Sequence, residues 1–127
     1  MRDIALALNE WDSAMHVLII EDEFLIATAI EDALRDCGFA TFDIAHSMQT
    51  AIDAASRRCP DLITTDVQLS PGCGIATVQR ICGGSPIPVI FITGNGADVR
   101  CKLPDRHILD KPFSESSLIA AVAIAMA

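Results

Sequence analysis

The chain has 127 residues, 51% of them hydrophobic, enough for one core and too few for two domains. A formal net charge of −8 and a pI near 4.6 argue against a Lys/Arg face of the kind that grips nucleic acid, and no apolar run approaches the roughly eighteen residues that cross a bilayer. Five cysteines (Cys37, Cys59, Cys73, Cys82 and Cys101) form no C-x-x-C pair and leave an odd thiol, which fits a reducing cytoplasm better than a disulfide framework or a zinc site.

Residues 1–15 place Ile4, Leu8, Trp11 and Met15 at helical spacing and read as an N-terminal extension, either an extra amphipathic helix or a frayed tail. Glu10 and Asp12 follow the short apolar patch near Met1 and no small-residue cleavage signal is apparent, so secretion is not expected. One domain then spans 16–127. Val17-Leu18-Ile19-Ile20 is a strand-like run that ends on Glu21-Asp22-Glu23. Phe24 to Cys37 places Leu25, Ala29 and Ala33 beside Ile26, Ile30 and Leu34 on one stripe, and Gly38 supplies the stop, which predicts an amphipathic helix.

Thr41-Phe42-Asp43-Ile44 alternates like an edge strand. Ser47 caps a second helix running to about Arg58, with Met48, Ala51, Ile52 and Ala55 turned inward, and Pro60 ends it. Leu62-Ile63-Thr64-Thr65 closes on Asp66. After a Gly/Pro-rich loop a third helix covers about Ile75 to Cys82, and Gly83-Gly84-Ser85-Pro86 turns into Val89-Ile90-Phe91-Ile92, which ends on Thr93-Gly94. The stretch from Thr93 to Lys111 contains Gly94, Gly96 and Pro104 and must hold both a helix and a strand, so helix four is short. Ile108-Leu109-Asp110 runs into Lys111-Pro112, and Ser114 caps a last helix from Glu115 carrying Leu118, Ile119, Val122 and Ile124.

Strand-length apolar runs alternating with helix-length segments predict an α/β fold, a five-stranded parallel sheet wound on both faces. With strand order 2-1-3-4-5, a ligand site lies beyond the carboxyl ends of the strands at the reversal point between strands one and three. Glu21, Asp22, Asp66, Thr93 and Lys111 then meet at one edge. Two carboxylates about 4 Å apart repel by roughly 4 kcal/mol at an effective dielectric near 20, so an acidic cluster takes up protons or recruits a cation. Oxygen-only ligands favour Mg²⁺, which readily shares a phosphate oxygen. Asp66 can attack phosphorus as a carboxylate nucleophile, while Lys111 and Thr93 serve the phosphoryl oxygens. Taken singly, each acid also fits a solvated turn, and Asp22 or Glu23 fits a helix cap.

These four run ends, Val17-Leu18-Ile19-Ile20-Glu21-Asp22-Glu23, Pro60-Asp61-Leu62-Ile63-Thr64-Thr65-Asp66, Val89-Ile90-Phe91-Ile92-Thr93-Gly94 and Asp110-Lys111-Pro112-Phe113, resemble the response-regulator receiver domain of two-component signalling over residues 16–127. The resemblance implies a flavodoxin-like receiver fold with Asp66 as phosphoacceptor and Glu21 and Asp22 as the acidic pair. It also implies Gln68 as the residue whose backbone carbonyl completes the metal shell, Thr93 as switch hydroxyl, Lys111 as the phosphate-pairing lysine, and a cis bond before Pro112. The chain departs from the family in three places. Ile108 stands where an aromatic residue is frequent, helix four is shortened, and the acidic pair is Glu-Asp instead of Asp-Asp.

The expected function is a stand-alone phosphoacceptor that takes a phosphoryl group from a sensor histidine kinase or phosphotransfer protein in a Mg²⁺-dependent reaction and signals through an unknown downstream protein. It would be a cytoplasmic monomer or weak dimer without nucleic-acid or membrane partners. Its only chemistry would be self-phosphorylation and autodephosphorylation. The alternatives are a phosphorylation-independent binding module, a flavodoxin-like electron carrier, which needs a Ser/Thr/Gly-rich phosphate loop where Glu21-Asp22-Glu23 stands, and a small phosphatase, which usually carries a second Asp where Gln68 stands. His16, His46 and His107 fall outside the motifs and read as packing or surface residues.

Overall fold

The computed structural model describes residues 15–69, 72–81 and 86–127. The proposed extra helix ahead of Met15 and the end of the third predicted helix at Cys82 lie outside the described residues. The elements alternate in chain order as β1 (His16–Ile20), α1 (Phe24–Cys37), β2 (Thr41–Ala45), α2 (Met48–Arg57), β3 (Leu62–Asp66), α3 (Gly74–Arg80), β4 (Val89–Thr93), α4 (Gly96–Lys102), β5 (His107–Asp110) and α5 (Glu115–Ala125). All strand pairs are parallel and the order is β2-β1-β3-β4-β5, as expected from the sequence. Helix α4 has 7 residues, so the shortening read from Gly94, Gly96 and Pro104 is present.

The apolar runs are continuous because both faces of the sheet are covered and alternate side chains serve opposite cores. Val17 and Ile19 of β1 pack with Ile30 and Leu34 of α1 and with Leu118 and Val122 of α5. Leu18 and Ile20 pack on the other face with Ala51, Ala54 and Ala55 of α2, and with Phe91 of β4. Burying one such aliphatic side chain contributes about 1.5–3 kcal/mol, so the central strands anchor the domain. Ser47 caps α2 and Ser114 caps α5, each in a reciprocal box with the residue three positions on, Thr50 and Ser117. Gly38, at φ 118°, takes the left-handed position that ends α1.

Two expectations need correction. In α1 the buried set is Ala27, Ile30, Ala33 and Leu34, whereas Leu25 is 80% exposed and Ala29 is exposed too. The helix carries more apolar residues than the sheet can cover, and Leu25 and Ala29 instead border a groove against Pro112 and Phe113. Likewise Ile124 of α5 faces solvent, 65% exposed. The second concerns the thiols: Cys37, Cys73 and Cys101 are free, but Cys59 is disulfide-bonded. Spacing along the chain does not reveal a pairing that depends on how the fold brings loops together.

Two polar clusters fix the sheet edges. At one edge the buried His16 places Nδ1 3.1 Å from Thr41 Oγ1 and Nε2 2.8 Å from Asp43 Oδ2, tying β1 to β2; the packing role read for it is what it performs. At the other, Arg100 of α4 donates to both oxygens of Asp110, at 3.3 and 2.9 Å, and to the Ile108 carbonyl at 3.3 Å. That two-pronged contact fastens the short helix to β5.

Gly74, the first residue of α3, donates its N–H to the Val67 carbonyl at 2.8 Å, and a Cβ there would land on the Asp66 carbonyl oxygen and 2.7 Å from Thr65 Oγ1. Since those partners are backbone and a buried hydroxyl, they cannot swing away. Gly74→Ala is therefore expected to destabilise the domain by roughly 1–3 kcal/mol, read as a lower urea midpoint with unchanged slope.

Candidate functional site

The sequence-predicted acids converge because β1 and β3 are neighbours in register: Ile20, the last residue of β1, pairs with Thr65, so Glu21 follows at the level where β3 ends on Asp66. The Glu21 N–H extends the ladder by donating to the Ala45 carbonyl at 2.9 Å. One oxygen from each of Glu21, Asp22 and Asp66 lies within 4.8 Å of the other two. Glu21 is buried at 1% exposure, Asp66 keeps 9%, and Asp22 is exposed, so the cluster runs from the protein interior to the surface.

Lys111 reaches the cluster from the end of β5. Its N–H donates to the Thr93 carbonyl at 2.9 Å, and the bond to Pro112 is cis, as the sequence resemblance implied. The Lys111 ammonium donates to Asp66 Oδ2 at 2.9 Å and lies 2.9 Å from Glu21 Oε1 and 3.9 Å from Glu23 Oε2. The approach to Glu21 Oε1 is close but off the hydrogen-bonding direction, so this buried oxygen has an ion-pair neighbour and no directed donor. The other Glu21 oxygen accepts from the Glu23 N–H at 3.2 Å.

Electrostatics follow from burial. Loss of water raises the Glu21 carboxyl from 4.5 to about 7; Lys111 and the Glu23 N–H oppose that shift, and the nearby Asp66 charge adds to it. For Lys111, burial works against the ammonium, but Asp66 and Glu21 outweigh it and hold the group above its usual range. The lysine therefore stays charged across the physiological range.

Asp22, Glu23, Asp66, Gln68, Thr93, Asn95 and Lys111 all line one open cavity of about 690 Å³. Asp66 Oδ1 accepts from the Gln68 N–H at 3.0 Å, and Thr93 Oγ1 accepts from the Asn95 N–H at 3.1 Å, so both side chains are held by the first residues of their loops. Sequence reasoning placed Glu23 only as a possible helix cap. It occupies the N-cap position of α1 without a side-chain capping bond and turns toward the cavity instead. The one signal for this was its place immediately after the acidic pair.

The cluster fits a hard divalent cation. Its ligand atoms are all oxygen, and the buried Glu21 Oε1 lacks a directed hydrogen-bond donor, so its lone pairs are open to a cation, which makes no directional demand.

Comparison with known proteins places the chain in a family. The chain matches the response regulator receiver domain family over residues 17–123. It is 31% identical to the phyllosphere-induced regulator PhyR of Methylorubrum extorquens across 91% of this chain and 45% of that protein. Among solved structures, the receiver domain of Erythrobacter litoralis PhyR superposes with a TM-score of 0.80 at 33% identity, covering 88% of this chain and 89% of that one. PhyR of Bartonella quintana, described as an anti-anti-sigma factor, superposes at 0.76 and 33% identity over 88% of this chain and 47% of that chain. The chain thus spans about half the length of its longer relatives and most of the isolated receiver domain. On the family match, the strand order and the converging acids together, this chain belongs to the response regulator receiver domains of two-component signalling.

Proposed function

We propose that the protein is a phosphoacceptor in which Asp66 takes a phosphoryl group from the phosphohistidine of a sensor kinase or phosphotransfer protein. The observation that carries this reading is the Asp66 carboxylate at the cavity wall, 2.9 Å from the Lys111 ammonium and beside Glu21 and Asp22. In the step, an Asp66 oxygen forms a bond to phosphorus as the P–N bond breaks, and the electron pair leaves with the donor imidazole. Hydrolysis reverses the charge of the site: a water oxygen attacks phosphorus, and phosphate departs from the restored carboxylate.

Glu21 and Asp22, with Asp66 and the Gln68 backbone carbonyl, would hold Mg²⁺, which when bound offsets the carboxylate charge facing an incoming phosphoryl group. Lys111 exchanges part of its contact with Asp66 for a phosphoryl oxygen. The Thr93 hydroxyl is freed from the Asn95 N–H and donates to another. That exchange links modification to the β4–α4 turn, and output follows as altered affinity for a protein partner. The domain acts as a signalling receiver without substrate turnover, a monomer or weak dimer; among the described residues no helix is long and apolar enough to cross a membrane. The anti-anti-sigma description of the Bartonella relative supports a protein as the downstream target.

Incubation with a small phosphodonor and Mg²⁺ is expected to add one phosphoryl group by intact mass. Asp66→Asn should abolish the addition, and chelating the metal should slow it by at least tenfold. Label that persists in Asp66→Asn would refute the assignment.

A pH prediction follows from Glu21. A folded value of about 7 against 4.5 means that the native state retains a proton that the unfolded chain has lost, so this group's contribution to stability is full below about 4.5 and gone by about 7. In the metal-free protein, Glu21→Gln is therefore expected to raise unfolding free energy relative to the parent at pH 8 by roughly 1–3 kcal/mol and to change it little at pH 4.5. Urea titrations in EDTA at both pH values check this; equal differences at the two would contradict it.

A further inference from the structure

The Glu23 carboxylate is neither bonded as a helix cap nor buried in a core. Its side chain is 63% exposed, makes no capping bond at the start of α1, and sits with Oε2 3.9 Å from the Lys111 ammonium on the wall of the phosphoacceptor cavity. Asp22, Glu23 and Asp66 line that cavity, with the buried Glu21 carboxylate behind them, clustered with Asp22 and Asp66, and they face Lys111 as the one cation in the lining among the described residues. A bound divalent cation leaves one negative charge uncompensated when all four acids are ionised. Glu23 is the acid that supplies this excess, because the other three form the compact cluster and Glu23 lies outside it.

We infer that Glu23 is a specificity-determining residue for the phosphodonor, retarding small free phosphodonors in proportion to their negative charge. The inference rests on the phosphoacceptor reading of Asp66. A dianionic acyl phosphate approaching Asp66 must pass the Glu23 carboxylate at the mouth of an open, solvent-connected cavity. There, the repulsion between unit charges a few ångströms apart amounts to severalfold in rate and is weakened by salt. A phosphoryl group presented on a protein, with neighbouring cationic side chains or a cationic leaving group, meets less opposition and even gains attraction. Glu23 thus biases the site toward a macromolecular donor, without contacting the reacting atoms.

The test compares the full chain with Glu23→Gln and Glu23→Lys, using acetyl phosphate as a dianionic donor and phosphoramidate as a monoanionic one. Mg²⁺ is kept saturating for each variant, and rates are read by intact mass at low and high NaCl. Glu23→Gln is expected to accelerate labelling by acetyl phosphate roughly three- to tenfold at low salt, and by phosphoramidate only about the square root of that factor. Glu23→Lys should go further in the same order, and high salt should shrink both gains. Asp105→Asn, an exposed charge at the amino-terminal end of β5, controls for net charge and should alter neither rate. Unchanged rates, equal acceleration with both donors, or an effect confined to the Mg²⁺ concentration required would overturn the inference while leaving Asp66 as acceptor. Failure of the parent chain to take label from either donor would remove the acceptor reading, and this inference with it.

Discussion

The contact of the Lys111 ammonium with Asp66 and Glu21 is the interaction on which the site depends. Three carboxylates held within 4.8 Å repel strongly, and without a cation the cluster would protonate or spread. The lysine supplies that cation from the far side of the sheet. It is kept in place by its own N–H on the Thr93 carbonyl, and so charge balance at the acids and register at the β4–β5 edge are the same constraint. Glu21 adds tension to this arrangement, since its burial favours the protonated form while its partners favour the charged one.

The rest of the fold serves that edge. The two cores fix β1, β3 and β4 in a register that sets Ile20 level with Thr65 and Asp66 level with Ile92, and a backbone N–H two residues past the strand end holds each side chain, as Gln68 does for Asp66 and Asn95 does for Thr93. At the periphery the architecture is polar instead of apolar. Helix α4 is too short for a broad buried face, burying only Gly96 and Val99, and its hold on β5 comes from Arg100 meeting Asp110 and the Ile108 carbonyl. Ile108, where the family resemblance led to the expectation of an aromatic ring, is joined to α4 through its backbone oxygen.

Much of this was legible in the sequence because strands covered on both faces must be apolar throughout, so the residue that breaks each run marks the strand end. Glu21, Asp66 and Thr93 could be read for that reason, Lys111 from its place directly after the last strand, and the strand order made them neighbours. What the pattern did not disclose was rotation and pairing. The burial of Ala27 in place of Leu25 depends on how α1 rolls against β1, and alanine is a weak apolar signal. The bond at Cys59 is a pairing that spacing does not encode, and the Arg100 fork depends on how α4 docks against β5. Glu23 looked like a cap by position; only its unbonded side chain and its place on the cavity wall showed otherwise.

Asp66 and Lys111 are 45 positions apart in the chain, and Glu21 is farther still from its lysine partner. No local segment holds even two of the three strands that carry them in working register, so a partly folded chain has nothing with which to grip an ion or a phosphoryl group. Occupancy is consequently written into global stability: whatever fills the pocket stabilises every strand at once, and ligand concentration sets the melting temperature of the entire domain.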